Sequence, residues 1–154
     1  LHVCMRVVIQ RVKEASVSVQ GAKISEIQKG LLVLVGVDTT DNQQDIDWLV
    51  AKVAKLRIFE DPDGAMNVSL QDIGGDVMVV SQFTLHASTK KGNRPSFIKA
   101  AKPEEAIPLY EEFVGSLEKE LNKKIQTGQF GAMMEVALIN DGPVTITIDS
   151  KNKE

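Results

Sequence analysis

Residues 133–148 read MMEVALINDGPVTITI. Val136, Leu138 and Ile139 form an apolar, strand-like run, and Val144, Ile146 and Ile148 resume it with period-two alternation. Between them stands Asn140-Asp141-Gly142-Pro143. Proline cannot donate to a sheet ladder, so it belongs at an edge, a bulge or a break. A glycine before it relieves the crowding that restricts most pre-proline residues. Two readings follow: an ordinary turn between two strands, or a shaped backbone element such as a cis peptide. The cis isomer is found in only about 5–6% of X-Pro bonds in folded proteins. The local residues leave both readings open, and in either case a β unit ends the chain and needs partners upstream.

Those partners are legible. MRVVIQRV (from Met5) is a short apolar run, and EASVSVQ (from Glu14) alternates Ala15, Val17 and Val19 against Ser16, Ser18 and Gln20. Gly21-Ala22 turns into a third segment ending at Ile27, and Lys29-Gly30 turns again into LLVLVGV (from Leu31), continuous enough to be buried on both faces. This spacing predicts an antiparallel start. Thr40-Asp41-Asn42-Gln43 has the form of a capping box and predicts a helix to about Leu56, with Ile46, Leu49, Val50, Val53 and Leu56 as its buried stripe and Trp48 packing at the edge. Asp61-Pro62-Asp63-Gly64 is a turn. DVMVVSQFTL (from Asp76) reads as a second buried strand. Pro103 opens a second helix, buried through Ala106, Leu109, Tyr110, Phe113, Leu117 and Leu121, with Pro108 demanding a kink or a later start. The pattern is α+β: mostly antiparallel β-structure with two main helices on one side.

The 154 residues, 43% of them hydrophobic, suit one domain with a full core, expected over residues 5–150. Residues 1–4, ahead of Met5-Arg6-Val7-Val8, read as an N-terminal extension. A net charge of -3 gives no global drive toward nucleic acid or acidic membranes, so a phosphate partner must be met by a local patch. The single cysteine rules out an intramolecular disulfide framework and suits the cytoplasm. No apolar run is long enough to span a membrane.

Conventional catalytic groups are scarce. His2 and His86 are the only histidines, and a lone strand-end histidine such as His86 is expected at the surface. A Thr84/His86 pair shares one strand face, but activating a threonine needs a base in reach and a group to orient it. No Cys/His cluster has metal spacing, and no metal or cofactor is expected. The stretch STKKGNRPSFIKAAK (from Ser88) is more telling. It carries Lys90, Lys91, Arg94, Lys99 and Lys102 with no acidic residue, and Phe97 is interleaved. It is either a solvated loop or a phosphate-backbone contact with a stacking ring. It follows Ser81-Gln82-Phe83-Thr84, where small polar residues and backbone N–H groups leave a buried strand and can serve an oxyanion without a charged catalyst.

Ser81-Gln82-Phe83-Thr84-Leu85 and Asn140-Asp141-Gly142-Pro143-Val144-Thr145 resemble the two signature motifs of the D-aminoacyl-tRNA deacylases. The resemblance extends to MRVVIQRV, to Gly92-Asn93-Arg94-Pro95-Ser96-Phe97 and to Thr127-Gly128-Gln129-Phe130, and so covers residues 5–148. It implies a barrel-like β-fold with flanking helices, a homodimer, and hydrolysis of the ester joining a D-amino acid to the terminal ribose of tRNA. By the same resemblance Gly142 and Pro143 form a cis element that enters the partner's site and selects against L side chains, with Asn140 and Thr145 beside it. Glycyl-tRNA becomes a further substrate, since glycine has no side chain to reject. Ser81, Gln82, Phe83 and Thr84 line the carbonyl side, and the tRNA 2′-hydroxyl helps activate water. Lys90, Lys91 and Arg94 meet tRNA phosphates, while Phe130 and Met134 help form the adenosine pocket. Neither DNA nor a membrane is an expected partner. Two alternatives stay open: a threonine-dependent hydrolase of small esters or amides, and a tRNA-binding module without catalysis.

Overall fold

A computed structural model describes residues 5–153, so the expected extension at residues 1–4 lies outside the described residues. The strands are β1 (Arg6–Val19), β2 (Ala22–Ile27), β3 (Gly30–Gly36), β4 (Phe59–Glu60), β5 (Met66–Val68), β6 (Asp76–Ser81), β7 (Gln126–Thr127) and β8 (Met134–Asp149); the helices are α1 (Gln43–Lys55), α2 (Leu70–Ile73) and α3 (Pro103–Leu121). The main sheet runs β2-β1-β3-β6-β7, with β8 on β1.

The two N-terminal segments expected as separate strands are one, β1. Its first half pairs antiparallel with β3 and its second half with β2, while β8 follows its whole length on the other edge. The register slips between Gln10 and Val12 and again between Val12 and Glu14. These bulges bend the strand and explain why its alternation breaks in the sequence. The sheet curls far enough that the Ser25 hydroxyl on β2 donates to the Thr127 carbonyl on β7, 2.8 Å away. That contact nearly closes a barrel. Antiparallel pairing dominates as expected, but β3/β6 and β6/β7 are parallel, because each pair is joined through a helix that returns the chain in the same direction.

Apolar burial occurs in two places. Val12, Ala15, Val17, Ile27, Leu32, Met78 and Val80 pack inside the curled sheet. Val7, Ile9, Leu31, Val33 and Val79 face the helices and meet Ile46, Leu49 and Val53 of α1 and Phe113 and Leu117 of α3. β3 and β6 thus read as unbroken apolar runs because both of their faces are covered. Trp48 is half-buried at the edge of this second core, as its place on the helix suggests.

The capping box of α1 is two residues later than expected. Asn42 accepts from the Gln44 and Asp45 N–H groups, and the Asp45 carboxylate accepts from the Asn42 N–H at 2.9 Å. Thr40 is not the cap: its hydroxyl donates to Asp38 and its oxygen accepts from Lys151 Nζ at 3.0 Å. α3 begins at Pro103 and runs through Pro108. Pro108 is exposed, so the bond it fails to make leaves a carbonyl on the solvent side of the helix. Among the described residues no helix is long and apolar enough to cross a membrane.

Candidate functional site

β6 carries four buried apolar residues and then Ser81, after which the chain leaves the sheet. The strand expected to continue to Leu85 instead tightens into a 3-10 turn, Phe83–His86. Gln82 N–H donates to the Val35 carbonyl at 2.7 Å, fixing the turn's entry, and Leu85 N–H closes back on the Gln82 carbonyl at 3.2 Å. The N–H groups of Phe83 and Thr84, the first two of the turn, have no acceptor within it. The turn lies flush on the end of β3. A Cβ on Gly36 would come within 3.0 Å of both the Gln82 carbonyl oxygen and Leu85 Cβ.

A cavity of about 610 Å³ opens beside this turn. Ser81, Gln82 and Phe83 form one wall; Phe97, Lys102 and Tyr110 stand on another, and Phe130 and Met134 on a third. The lining is largely apolar, which suits the flat face of a base or a hydrocarbon side chain. Phe83 and Phe97 meet edge-on with centroids 5.1 Å apart, and Tyr110 and Phe130 do so at 5.6 Å. The Tyr110 hydroxyl donates to the Val79 carbonyl at 3.0 Å, and burial pushes its phenol up to about 12. It therefore stays protonated and engaged, a structural wall rather than an acid or base.

Thr84 is exposed, and its hydroxyl oxygen accepts a hydrogen bond from Gln82 Nε2. An amide N–H is a donor and cannot take the threonine proton. His86 does not supply the missing base. Against the expectation of a surface residue it is only 4% exposed, packed with its Cδ2 towards Gly36, and it makes no hydrogen bond to Thr84. The reason is the turn itself: in a 3-10 segment residues two apart no longer share a face as they would on a strand. Among the described residues no group of three or more histidine, cysteine or acidic side chains is placed to hold a metal ion.

The basic stretch forms an exposed loop whose base is tied by Ser88 and Ser96, each N–H donating to the other's carbonyl at 2.8 and 2.9 Å. Lys90, Lys91 and Arg94 are exposed at its tip, and among the described residues none of them makes a salt bridge. Phe97 follows directly, so the loop and the cavity mouth are continuous.

The second motif lies elsewhere. The two strands expected on either side of it are a single β8, and of the two readings the local residues left open it is the shaped element within that strand, passing from Asn140, opposite Val12, to Thr145, opposite Gln10. The Gly142–Pro143 peptide is cis. Asn140 spans the distortion: its Oδ1 accepts from Val144 N–H at 3.0 Å and its Nδ2 donates to Thr145 Oγ1 at 2.9 Å. Arg11 supports it from beneath, with Nε donating to the Asp141 carbonyl at 3.1 Å and Nη1 to the Ile58 carbonyl at 2.7 Å. Gly142 and Pro143 are exposed and do not line the cavity of their own chain. The structure therefore groups Ser81, Gln82, Phe83, Phe130 and Met134 around one cavity and sets Asn140, Gly142, Pro143 and Thr145 apart from it. Sequence reasoning gave no site role to Arg11 or to Tyr110, although it placed Tyr110 on the buried face of its helix. A charged residue inside an apolar opening run was the available signal for the first.

The chain matches the D-Tyr-tRNA(Tyr) deacylase family over residues 8–149. It belongs to that family. A D-aminoacyl-tRNA deacylase of Flavobacterium johnsoniae is 69% identical over 150 residues, covering 97% of this chain and all of the relative. One from Bacteroides fragilis is 61% identical over the same span. The solved structure of the c-Myc DNA Unwinding Element Binding Protein is similar with a TM-score of 0.87 at 42% identity, covering 94% of this chain and 97% of that one. A probable eukaryotic D-amino acid tRNA deacylase gives 0.83 at 16% identity, covering 96% and 100%, a likeness that bears on the fold alone. The deacylase described here is thus a hydrolase of D-aminoacyl-tRNA, with RNA as its substrate.

Proposed function

We propose that this deacylase hydrolyses the D-aminoacyl ester with backbone rather than side-chain catalysis and rejects L substrates by shape. The observation that carries the reading is the separation just described. None of residues 81–84 beside the cavity is an acid or a base, and the rigidly supported Gly142-Pro143 element stands exposed away from it. In this reading a second copy of the chain completes each site. Its Gly142 and Pro143 carbonyls receive the substrate amino group, with Asn140 and Thr145 bracing them, and an L side chain would collide with that wall. A steric wall discriminates more strongly than an attractive pocket. Glycine presents no side chain to the wall, so glycyl-tRNA is also cleaved.

The N–H groups leaving residues 81–84 stabilise the oxyanion, and the 2′-hydroxyl of the terminal adenosine helps activate water. Phe130 and Met134 hold the adenosine; Lys90, Lys91 and Arg94 hold phosphates. The active form is a cytoplasmic homodimer of residues 5–150 and requires no cofactor. The test is release of amino acid from D-Tyr-tRNA, L-Tyr-tRNA, free D-Tyr ethyl ester and D-Tyr-tRNA ending in 2′-deoxyadenosine. Only the first should turn over efficiently. Rapid cleavage of the free ester would point to a threonine hydrolase, and full activity on the deoxy substrate would remove the RNA-assisted step.

A further inference from the structure

Three residues lie side by side across the sheet at one end of the barrel. Arg6 on β1 is directly opposite Asp149 on β8 and directly opposite Gly36 on β3. Directly opposed residues in antiparallel strands present their side chains to the same face. The row on that face is therefore a carboxylate, a guanidinium and, at the glycine, a gap where a third side chain would be. The Phe83–His86 turn fills the gap: a Cβ on Gly36 would press on Gln82, Leu85 and His86 together. Arg6 reaches over it. Its Nη1 donates to the Leu85 carbonyl at 2.7 Å, while Nε and Nη2 grip Asp149 at 2.7 and 3.3 Å.

We propose that Arg6 is a positioning residue for the deacylation reaction, locking the orientation of the Phe83–His86 turn by holding the Leu85 carbonyl while Asp149 holds Arg6. This rests on the reading that the Phe83 and Thr84 N–H groups face the scissile carbonyl. A 3-10 turn presents N–H groups at its start and carbonyls at its end. A cation fixed on a late carbonyl therefore sets the direction of the early N–H groups without touching the substrate. The Gln82 N–H bond to Val35 holds the entry of the turn, and Arg6 holds its exit. Without Arg6 the exit rests on the packing of Leu85 and His86 against Gly36, which seats the turn but does not fix the direction of the Leu85 carbonyl. Asp149 makes the grip directional, since a two-pronged carboxylate–guanidinium contact fixes the plane of the guanidinium. Lysine at this position could not serve both acceptors in that geometry.

The experiment uses full-length protein and D-Tyr-tRNA, with kcat and KM measured separately, thermal unfolding, and the backbone amide resonances of Phe83 and Thr84. Arg6→Met keeps the aliphatic stem and should lower kcat roughly a hundredfold, the size expected of a small misplacement of reacting groups, with KM within about twofold of the parent. The charge-swapped Arg6→Asp/Asp149→Arg protein is the deciding variant. It restores a cross-strand ion pair, but its guanidinium starts one strand spacing, about 4.8 Å, farther from the turn. It should regain the parent's thermal stability while kcat stays low. Recovery of kcat in the swap would show that Arg6 only stabilises the sheet and would overturn the proposal. Parent-like kcat in Arg6→Met would overturn it as well, and the resonances then say which part fails. Displaced resonances with full activity remove the turn from the reaction; unmoved resonances remove Arg6 from control of the turn.

Discussion

Arg11 and Asp141 meet through the backbone as well as through charge: Arg11 Nε donates to the Asp141 carbonyl at 3.1 Å and lies 3.6 Å from its carboxylate. Arg11 is 7% exposed, so this guanidinium is an internal strut beneath the β8 distortion. Its Nη2 comes so close that a Cβ on Gly142 would lie 3.1 Å from it and 2.8 Å from Val144 Cγ2. Gly142 also has a φ of +128°, a conformation that L side chains rarely adopt. Gly142→Ala should therefore destabilise the fold by about 1–3 kcal/mol in urea unfolding and depress D-Tyr-tRNA hydrolysis. Adding Val144→Ala removes one collision but leaves the backbone cost and gives up the packing of Val144 on the core, so it should not restore the parent's stability. Wild-type stability in the single variant would contradict this account of Gly142.

Thr84 tests the chemistry. Its hydroxyl accepts from Gln82 and has no base beside it, so Thr84→Ala should retain substantial deacylation. Single-turnover rates on D-Tyr-tRNA are the measurement. A loss near a thousandfold, about 4 kcal/mol of transition-state stabilisation, would instead make Thr84 the nucleophile.

How far the sequence discloses this arrangement depends on whether the deciding contacts are local. β3 and β6 are legible because burial on both faces leaves an unbroken apolar run, and α1 because one stripe meets the core. β1 looks like two strands, since its bulges place Lys13 and Glu14 outward where alternation should continue. β8 also looks like two, although β1 pairs with it on both sides of Gly142-Pro143. The cavity is not legible from local pattern, although the family resemblance names Ser81, Gln82, Phe83, Phe130 and Met134 among its lining residues. Its walls come from β3, β6, the basic loop, α3 and β8, and only the curl of the sheet brings them together. Arg11 is hidden for a related reason: its partners are carbonyls at Ile58 and Asp141, and a carbonyl leaves no mark in a sequence.

The basic loop makes a prediction about salt. The overall charge is -3, so attraction for RNA has to come from a local patch rather than from the whole molecule, and the proposed patch is the tip of this loop. Replacing Lys90, Lys91 and Arg94 with alanine should weaken tRNA binding. The log–log salt dependence should flatten by roughly 0.7–0.9 units for each phosphate that is no longer neutralised. Binding isotherms across a salt series measure both. Parent-like affinity and slope would reduce the loop to a solvated connection.

Asp41 predicts a pH dependence of stability far from the cavity. Its side chain is fully covered where β3 leads into α1, and burial raises its carboxyl from an ordinary 3.8 to about 6. The Asp38 N–H, donating to Asp41 Oδ2 at 2.6 Å, pulls the other way, as does Lys151 at 3.4 Å; the Asp45 and Asp38 carboxylates add to the rise. The folded protein therefore holds this proton more tightly than the unfolded chain does. The resulting stabilisation is complete below about pH 3.8, where both states are protonated, and is lost as pH rises through about 6. Asparagine keeps an acceptor for the Asp38 N–H and has no proton to lose. The parent's unfolding free energy relative to Asp41→Asn should thus decline by about 2 kcal/mol between pH 4 and pH 7. Urea unfolding of both proteins across that range gives the difference directly. Because the subtraction cancels titrations common to both, two parallel curves would mean that Asp41 ionises as freely in the folded protein as in the unfolded chain.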